Sequence, residues 1–362
     1  MRPESEIHCP IRRTRFRRTI HGLQVEEMKS SHRKALFQWG LGILFFLLLL
    51  YLGDVSKLSR LPEIHWMYIL MAFLCTLGFT ISHNFRWKEI VENVCGMKGQ
   101  SFISLCRYLV NSYALGTVIP MDLSLLGLRS YYLNQFQKIP VSAAVFSVLL
   151  DRFFELVLLL VIILPSFLFM TRAFSSSQTV LVLLLLFAGL SLLTLWKKGD
   201  SFNFLLKIYE TILVRWLSKV PFLRRRIVQE MVETNADCHF SQASVLRITC
   251  WNITKYIFLS LRFYFIGQSL GIQFPLAESF LVLPLIQLSG LINLTPAGLG
   301  VVEMGTYGAL LLIGINQSQI LIFVIGQRVL LSLMLLSLLV LIHLISYIQS
   351  GREGLKELRW KG

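Results

Sequence analysis

Two arginines of this sequence lie inside long apolar segments, and each follows a proline by 32 residues. The pairs are Pro120 with Arg152 and Pro296 with Arg328, so the two stretches repeat at an offset of 176 residues. At 1.5 Å per residue, both arginines are predicted to lie roughly 14 to 16 Å along their helices, near the middle of a bilayer. An arginine there costs ~2.5 to 3.5 kcal/mol, so it should face a partner or a wet cavity. Both are candidates for binding a charged group such as a phosphate.

The acidic residues around these arginines leave structural and ligand-binding roles open. Glu155 lies on the helical face of Arg152 at i+3, so a purely structural ion pair explains Arg152 as well as ligand contact does. Asp151 precedes Arg152 directly. Arg328 has no acid nearby in the sequence, so Glu303 is its expected partner. Arg328 is therefore the better candidate for ligand contact, and Glu303 would either orient it or receive a lipid amine.

The segment after the second proline has the pattern of a helix that starts inside the membrane. Thr295 resembles an N-cap, and Pro296 suits the first helical position, where a missing N–H costs nothing. The free N–H groups of such a helix favour an anion, for instance a phosphate. Gly298 and Gly300 would let the ligand approach the backbone, or equally would permit close helix packing. Asp122 is the expected cap in the first half.

No catalytic residue, metal ligand or cofactor is predicted. The six cysteines form no CxxC pair and lie mostly in or beside apolar segments, so neither a disulfide framework nor a metal site is indicated. The sequence also lacks a DxD pair for a metal-bound nucleotide sugar.

The elements that must position these residues are membrane helices. The chain has 362 residues, of which 55% are hydrophobic and 15% charged, with a mean hydropathy of +0.64. This composition predicts an all-α polytopic membrane protein. Apolar runs long enough to cross a bilayer occur at 36–52, 64–82, 141–170, 179–196, 244–267 and 319–348, and two interrupted runs at 102–120 and 279–315.

Basic residues set the orientation, because positively charged loops stay on the cytoplasmic side. The arm 1–34, the loop 197–243 and the tail 349–362 are all rich in Lys and Arg. These three regions lie on the same side of the membrane only if the segments 102–136 and 279–315 each enter the membrane, break at a proline and return to the side from which they entered. We therefore expect about six full spans plus two re-entrant hairpins, with both termini cytoplasmic, in the cell's inner or plasma membrane.

This topology divides the membrane part into two inverted repeats. Residues 35–196 form the first repeat and 244–348 the core of the second, and their hairpins open to opposite sides. Inverted repeats whose broken helices meet near the midplane are a recurring transporter architecture. A duplicated scaffold without transport remains the alternative.

Charged residues nearer the ends have simpler interpretations. The loop 197–243 contains an amphipathic helix followed by basic residues, which favours contact with anionic lipid headgroups. The arm 1–34 is interpreted as a disordered topogenic segment, and no nucleic-acid partner is expected. Arg107, Lys255 and Arg262 are expected to snorkel towards the membrane surface.

The residues resemble a known family. The signature consists of Pro296-x-Gly298-x-Gly300-x-x-Glu303, the Asp151-Arg152 pair, and Pro120 with Arg129. It is similar to the flippase-like family named for the transmembrane region of lysylphosphatidylglycerol synthase, over about residues 36 to 348. One departure is that Leu125-Leu126-Gly127 stands where members often have a glycine pair and an acid, which affects the role of Arg129.

The resemblance implies phospholipid translocation. In bifunctional members this membrane part moves an aminoacylated phospholipid made by a cytosolic domain, and only fourteen residues follow Ile348 here. Aminoacyl transfer is therefore not expected of this chain, and a separately encoded lipid-modifying enzyme is a possible partner.

Three functions follow as hypotheses. The first is a translocator of an anionic, zwitterionic or polyprenyl-phosphate-linked lipid, through a midplane site formed with Arg152, Arg328 and Glu303. The second is a membrane glycosyl- or phosphotransferase that uses a polyprenyl-linked donor, with Glu303 or Asp151 as base. The third is a non-catalytic partner of a lipid-modifying enzyme.

Overall fold

The computed structural model describes residues 64–96, 99–171, 240–291 and 295–360, together with scattered positions in 40–51 and 173–186. In this part of the chain every regular element is helical and no strand occurs. The predicted all-α fold class is confirmed for these residues.

Eight α-helices and one 3₁₀ turn make up the described regular structure. They are α1 (Trp66–Cys95), α2 (Phe102–Leu115), α3 (Met121–Gln137), α4 (Val141–Met170), α5 (Gln242–Ser269), α6 (Leu276–Leu291), the turn Pro296–Gly298, α7 (Val301–Leu312) and α8 (Gln317–Trp360). Pro120 and Pro140 stand immediately before α3 and α4. Proline is tolerated at a helix start because the N–H it lacks has no partner there.

Two of the described helices are long and apolar enough to cross a membrane. They are Trp66–Cys95 and Gln317–Gln349, the latter being most of α8. One face of α8 exposes large apolar side chains that suit contact with lipid: Val329, Leu333, Leu336, Val340 and Leu344. Helix α4 has 30 residues but carries Asp151, Arg152 and Glu155 within its apolar sequence. These charges must be accommodated inside the protein.

Helices α1 and α5 pack closely along each other. A Cβ atom at Gly78 of α1 would lie 2.6 Å from the ring of Phe258 on α5, so any larger residue requires that ring to shift. Further along the same contact, the rings of Phe85 and Trp251 stack with centroids 4.6 Å apart. Such small-residue contacts let membrane helices approach closely.

The buried apolar residues form two main clusters. One includes Trp87, Leu105, Leu133 and Phe154 and joins α1 to α4. The other includes Phe263, Leu281, Leu310 and Phe323 and joins α5 to α8. Helices α1, α4 and α5 contribute to both clusters.

Several predicted segments lie outside the described residues. They are the arm 1–34, most of the run 36–52, the run 179–196 apart from a few positions, and the loop 197–243 up to residue 239. The predicted contact of that loop with anionic lipid headgroups lies there too. Helix α8 continues to Trp360, so most of the predicted tail 349–362 extends that helix.

Candidate functional site

The two proline breaks lie against each other. The first separates α2, which ends at Leu115, from α3, which begins at Met121. The second separates α6 from α7 and contains the turn Pro296–Gly298. The Ala297 N–H donates to the Ile119 carbonyl oxygen at 3.5 Å, so the two breaks contact each other directly.

The second break is an unusual backbone turn rather than a helix start. Ala297, Gly298 and Gly300 have φ angles of 55°, 67° and 80°, in the left-handed region that favours glycine. The α-helix begins only at Val301, with Gly300 as N-cap. The Thr295 hydroxyl donates to the Leu299 carbonyl at 2.8 Å instead of capping the helix. The prediction that Thr295-Pro296 starts a helix was therefore wrong.

A glutamate and an arginine hold this turn. Glu303 Oε2 accepts the Gly300 N–H at 2.7 Å, and Oε1 lies 3.0 Å from Arg328 Nη1. Both terminal nitrogens of Arg328 donate to the Ala297 carbonyl at 3.2 Å. The predicted Arg328–Glu303 pair is present. The N-terminus of α7 is capped by the protein's own carboxylate, which occupies an N–H expected to be free for an anion.

The first break has a matching ion pair. Asp122, in the first turn of α3, places its Oδ1 2.7 Å from Arg152 Nη2. Pro120 is the N-cap residue of α3, and Asp122 lies in the first turn of the helix. In both halves an acid in the first turn after the break binds the arginine of the following long helix, as Glu303 does with Arg328. An acid at a helix N-terminus is also stabilised by the helix dipole.

A cavity of about 650 Å³ opens beside the two breaks. Its walls are mostly apolar and come from α4, α5, α6 and α8: Leu149, Leu156, Leu159, Leu259, Phe263, Ile266, Leu283, Ile286 and Leu331. The backbone of Ala297 and Gly298 forms part of its lining, as does the start of α3. Its polar side chains are Asp122, Arg152, Glu155, Arg262, Gln287 and Gln327.

A row of charges runs along one side of this cavity. Arg152 Nη1 donates to Glu155 Oε2 at 2.7 Å while its other terminal nitrogen binds Asp122. The other oxygen of Glu155 accepts a hydrogen bond from Lys255 of α5, which is only 4% exposed. Each acid in the row therefore has a cation as partner, and the expectation that Lys255 snorkels was wrong.

A second charge cluster is sealed beneath the first. Asp151 Oδ2 lies 2.9 Å from His83 Nε2 and 3.0 Å from Arg129 Nη1, and Oδ1 accepts from Arg86 Nε at 2.8 Å. Asp151, Arg86 and Arg129 are each 0% exposed. The Arg129 guanidinium also lies over the Trp87 ring, 3.8 Å from its centroid. This arrangement joins α1, α3 and α4 through one carboxylate.

Arg262 differs from Arg152 and Lys255 in its surroundings. It lines the cavity and lies 5.0 Å from the centroid of the Phe79 ring. Within the described part of the chain no carboxylate pairs with it, although Cys75 and Tyr113 are close enough to interact electrostatically. Its charge is therefore available to a ligand, whereas snorkelling was expected.

The structure thus separates the predicted site residues into three groups. Arg152 and Gly298 line the cavity. Pro120, Pro296, Gly300, Glu303 and Arg328 build the two breaks. Asp151 and Arg129 lie in the sealed cluster.

Sequence reasoning missed His83, Arg86, Lys255 and Arg262 as members of the polar interior. A signal was present, because His83 and Arg86 are three residues apart and Lys255 and Arg262 seven apart. Both spacings place the two side chains on one face of a helix.

Comparison with known proteins identifies the chain at the level of its family. The model of the lysylphosphatidylglycerol synthase TM region matches residues 39–339, which include both breaks and every residue of the cavity. No curated protein and no solved structure matches the chain. The family's description concerns the membrane region of an enzyme that modifies a lipid, in agreement with the apolar helices. The chain is a membrane protein that belongs to the lysylphosphatidylglycerol synthase TM region family.

Proposed function

We propose that this protein moves a phosphate-bearing lipid across the bilayer and that the headgroup passes through the cavity beside the two breaks. The single observation that carries this proposal is the amphipathic cavity itself. Its volume of about 650 Å³ is in the range of binding sites for small molecules, and it suits a headgroup better than a whole lipid. Its apolar walls suit the first part of the acyl chains, and Arg152 and Arg262 suit a phosphate.

The proposed membrane arrangement follows the sequence. Each helix pair around a break, α2 with α3 and α6 with α7, would be a re-entrant hairpin, and the two halves would be inverted repeats. The hydrogen bond between Ala297 and Ile119 supports this arrangement, because related breaks that meet are found in transporters built from inverted repeats. The pairs Asp122–Arg152 and Glu303–Arg328 support it as well, because in each half an acid after the break binds the arginine of the following long helix. Both termini would be cytoplasmic.

The pairing of the carboxylates favours transport over group transfer. A transferase needs a base that is free to accept a proton within reach of its substrate. Asp122 and Glu155 line the cavity but bind Arg152 and Lys255, and Glu303 binds Arg328 and a backbone N–H. We further propose that a separately encoded lipid-modifying enzyme supplies the lipid, in keeping with the family's description.

The test is lipid movement in reconstituted vesicles. The full chain would be placed in vesicles with a trace of acyl-labelled phosphatidylglycerol, and the label in the outer leaflet would be bleached from outside. Wild-type protein should expose the inner-leaflet label, and Arg152→Gln should slow exposure at least tenfold. The matched control is Arg247→Gln, an arginine of α5 that pairs with Glu89 away from the cavity.

Thermal unfolding of each variant would show whether it is folded. A folded wild-type protein that moves none of a panel of anionic and zwitterionic lipids would contradict translocation. Equal rates in wild type and Arg152→Gln would contradict this route.

A further inference from the structure

Three polar side chains of the cavity have unused hydrogen-bonding capacity. Arg262 of α5, Gln287 of α6 and Gln327 of α8 all line it. Among the residues that the structure describes, none of the three makes a hydrogen bond or ion pair within the protein. A polar group that is partly withdrawn from water favours a ligand that can satisfy it.

The acids of the cavity, in contrast, are already satisfied. Asp122 binds Arg152, and Glu155 binds both Arg152 and Lys255. An ammonium group would have to displace one of these cations to reach a carboxylate. The unused groups are therefore one guanidinium and two neutral carboxamides.

These groups define the chemistry of a headgroup. A guanidinium presents several N–H donors that match the oxygens of a phosphodiester. A carboxamide has both donor and acceptor atoms, as a hydroxyl group does, so amides and hydroxyls can pair in either direction. The ammonium group of an amine headgroup can donate to a carboxamide oxygen, but its positive charge is repelled by the unpaired guanidinium of Arg262.

The side chains come from three different helices that meet around the cavity. Arg262 is placed by the Phe79 ring, which its guanidinium faces at 5.0 Å. Gln327 stands 176 residues after Asp151, so the second half has a neutral amide at the cavity where the first half has its sealed carboxylate. The second half thus adds no negative charge to the cavity at this position.

We propose that the cavity binds a phosphodiester headgroup that carries hydroxyl groups, such as glycerol or a sugar, in preference to an amine headgroup. Arg262 binds the phosphate, and Gln287 and Gln327 bind the hydroxyls. This specificity rests on the proposed function, since it concerns the same cavity.

The test uses three lipids that differ in one feature at a time. Phosphatidylglycerol has a phosphate and hydroxyls, phosphatidylmethanol has the same charge without hydroxyls, and phosphatidylethanolamine has an amine. Retention of each by the purified full chain in mild detergent would be measured by native mass spectrometry. We expect phosphatidylglycerol to be retained about tenfold better than phosphatidylmethanol, and phosphatidylethanolamine least.

The variants assign the contacts. Gln287→Leu with Gln327→Leu should remove the difference between phosphatidylglycerol and phosphatidylmethanol, and Arg262→Gln should weaken both lipids to the same extent. Gln317→Leu, an exposed glutamine at the start of α8, is the control for the amides, and Arg247→Gln is the control for Arg262.

Retention of lipid by the purified protein tests the headgroup specificity, and movement of lipid in vesicles tests translocation, so the two proposals can fail separately. Selective retention that the variants abolish would support this specificity even if the vesicles showed no movement, which would contradict translocation alone. Equal retention of the three lipids, or stronger retention of phosphatidylethanolamine, would overturn the specificity. Movement of lipid in the vesicle assay would leave translocation standing in that case.

Discussion

Arg328 donates from both terminal nitrogens to the carbonyl oxygen of Ala297, 31 residues earlier and in a left-handed backbone conformation. A non-glycine residue with positive φ costs of order 1 kcal/mol or more, so it persists only where its surroundings hold it. From the sequence, Arg328 was predicted to contact a ligand. In the structure its main contacts are to the turn and to Glu303, so its role includes holding the backbone.

We expect Arg328→Gln to destabilise the protein by about 2 kcal/mol, because Glu303 would be buried without its counter-ion and Ala297 would lose two donors. Thermal unfolding in detergent would measure the change. Arg152→Gln should cost less, since the acids that it would leave, Asp122 and Glu155, are 48% and 25% exposed, against 4% for Glu303. A variant at Arg328 that unfolds like wild type would contradict a role in holding the turn.

Asp151→Asn should be the most damaging single change in the first half. It would leave Arg129 buried without its carboxylate and Arg86 with only Glu155, 3.9 Å away. Breaking such buried pairs typically costs about 3 to 5 kcal/mol, and we expect a loss of roughly this size. The yield of monodisperse protein and its unfolding temperature would report the effect. Asp122→Asn, at a more exposed acid, is the control and should stay folded. Normal folding of Asp151→Asn would show that the buried cations find other partners.

Gly78→Leu should separate α1 from α5, because even a Cβ atom there would lie 2.6 Å from the ring of Phe258. We expect a loss of about 1 to 3 kcal/mol, typical of overpacking. The double variant with Phe258→Ala should recover part of this loss, which a double-mutant cycle of unfolding temperatures would show. Additive effects of the two changes would mean that they do not share this contact.

Cysteines at Ile119 and Ala297 would test the contact between the breaks. Their backbones are joined by a hydrogen bond, so a disulfide or short bifunctional cross-link should form between them in a background without other cysteines. If transport requires the two breaks to move apart, the cross-link should stop lipid movement and reduction should restore it. Undiminished movement with a complete cross-link would contradict that requirement.

The sequence predicted the helical class, the family, the breaks at the two prolines and the pairing of Arg328 with Glu303. Other features depended on contacts between distant segments. Lys255 and Arg262 were judged by their distance from the ends of an apolar run. Their burial depends on Glu155 and Phe79, which lie at least 100 residues away in sequence.

The predicted start of α7 was wrong for a local reason. The proline suggested a helix at Pro296, but Glu303 stands three residues after Gly300 and takes its N–H. That spacing is the one in which an acid caps a helix, and it favoured the later start.

The charge cluster around Asp151 also links three helices of the first half to α5 of the second half. The Asp151 carboxylate and the hydrogen bond from Arg86 to Asn252 together connect helices α1, α3, α4 and α5 inside the protein. The position that matches Asp151 in the second half is Gln327, whose side chain makes no hydrogen bond or ion pair among the described residues. If the protein changes conformation during lipid transport, we expect these four connected helices to stay fixed relative to one another and the hinge to lie at the turn held by Arg328.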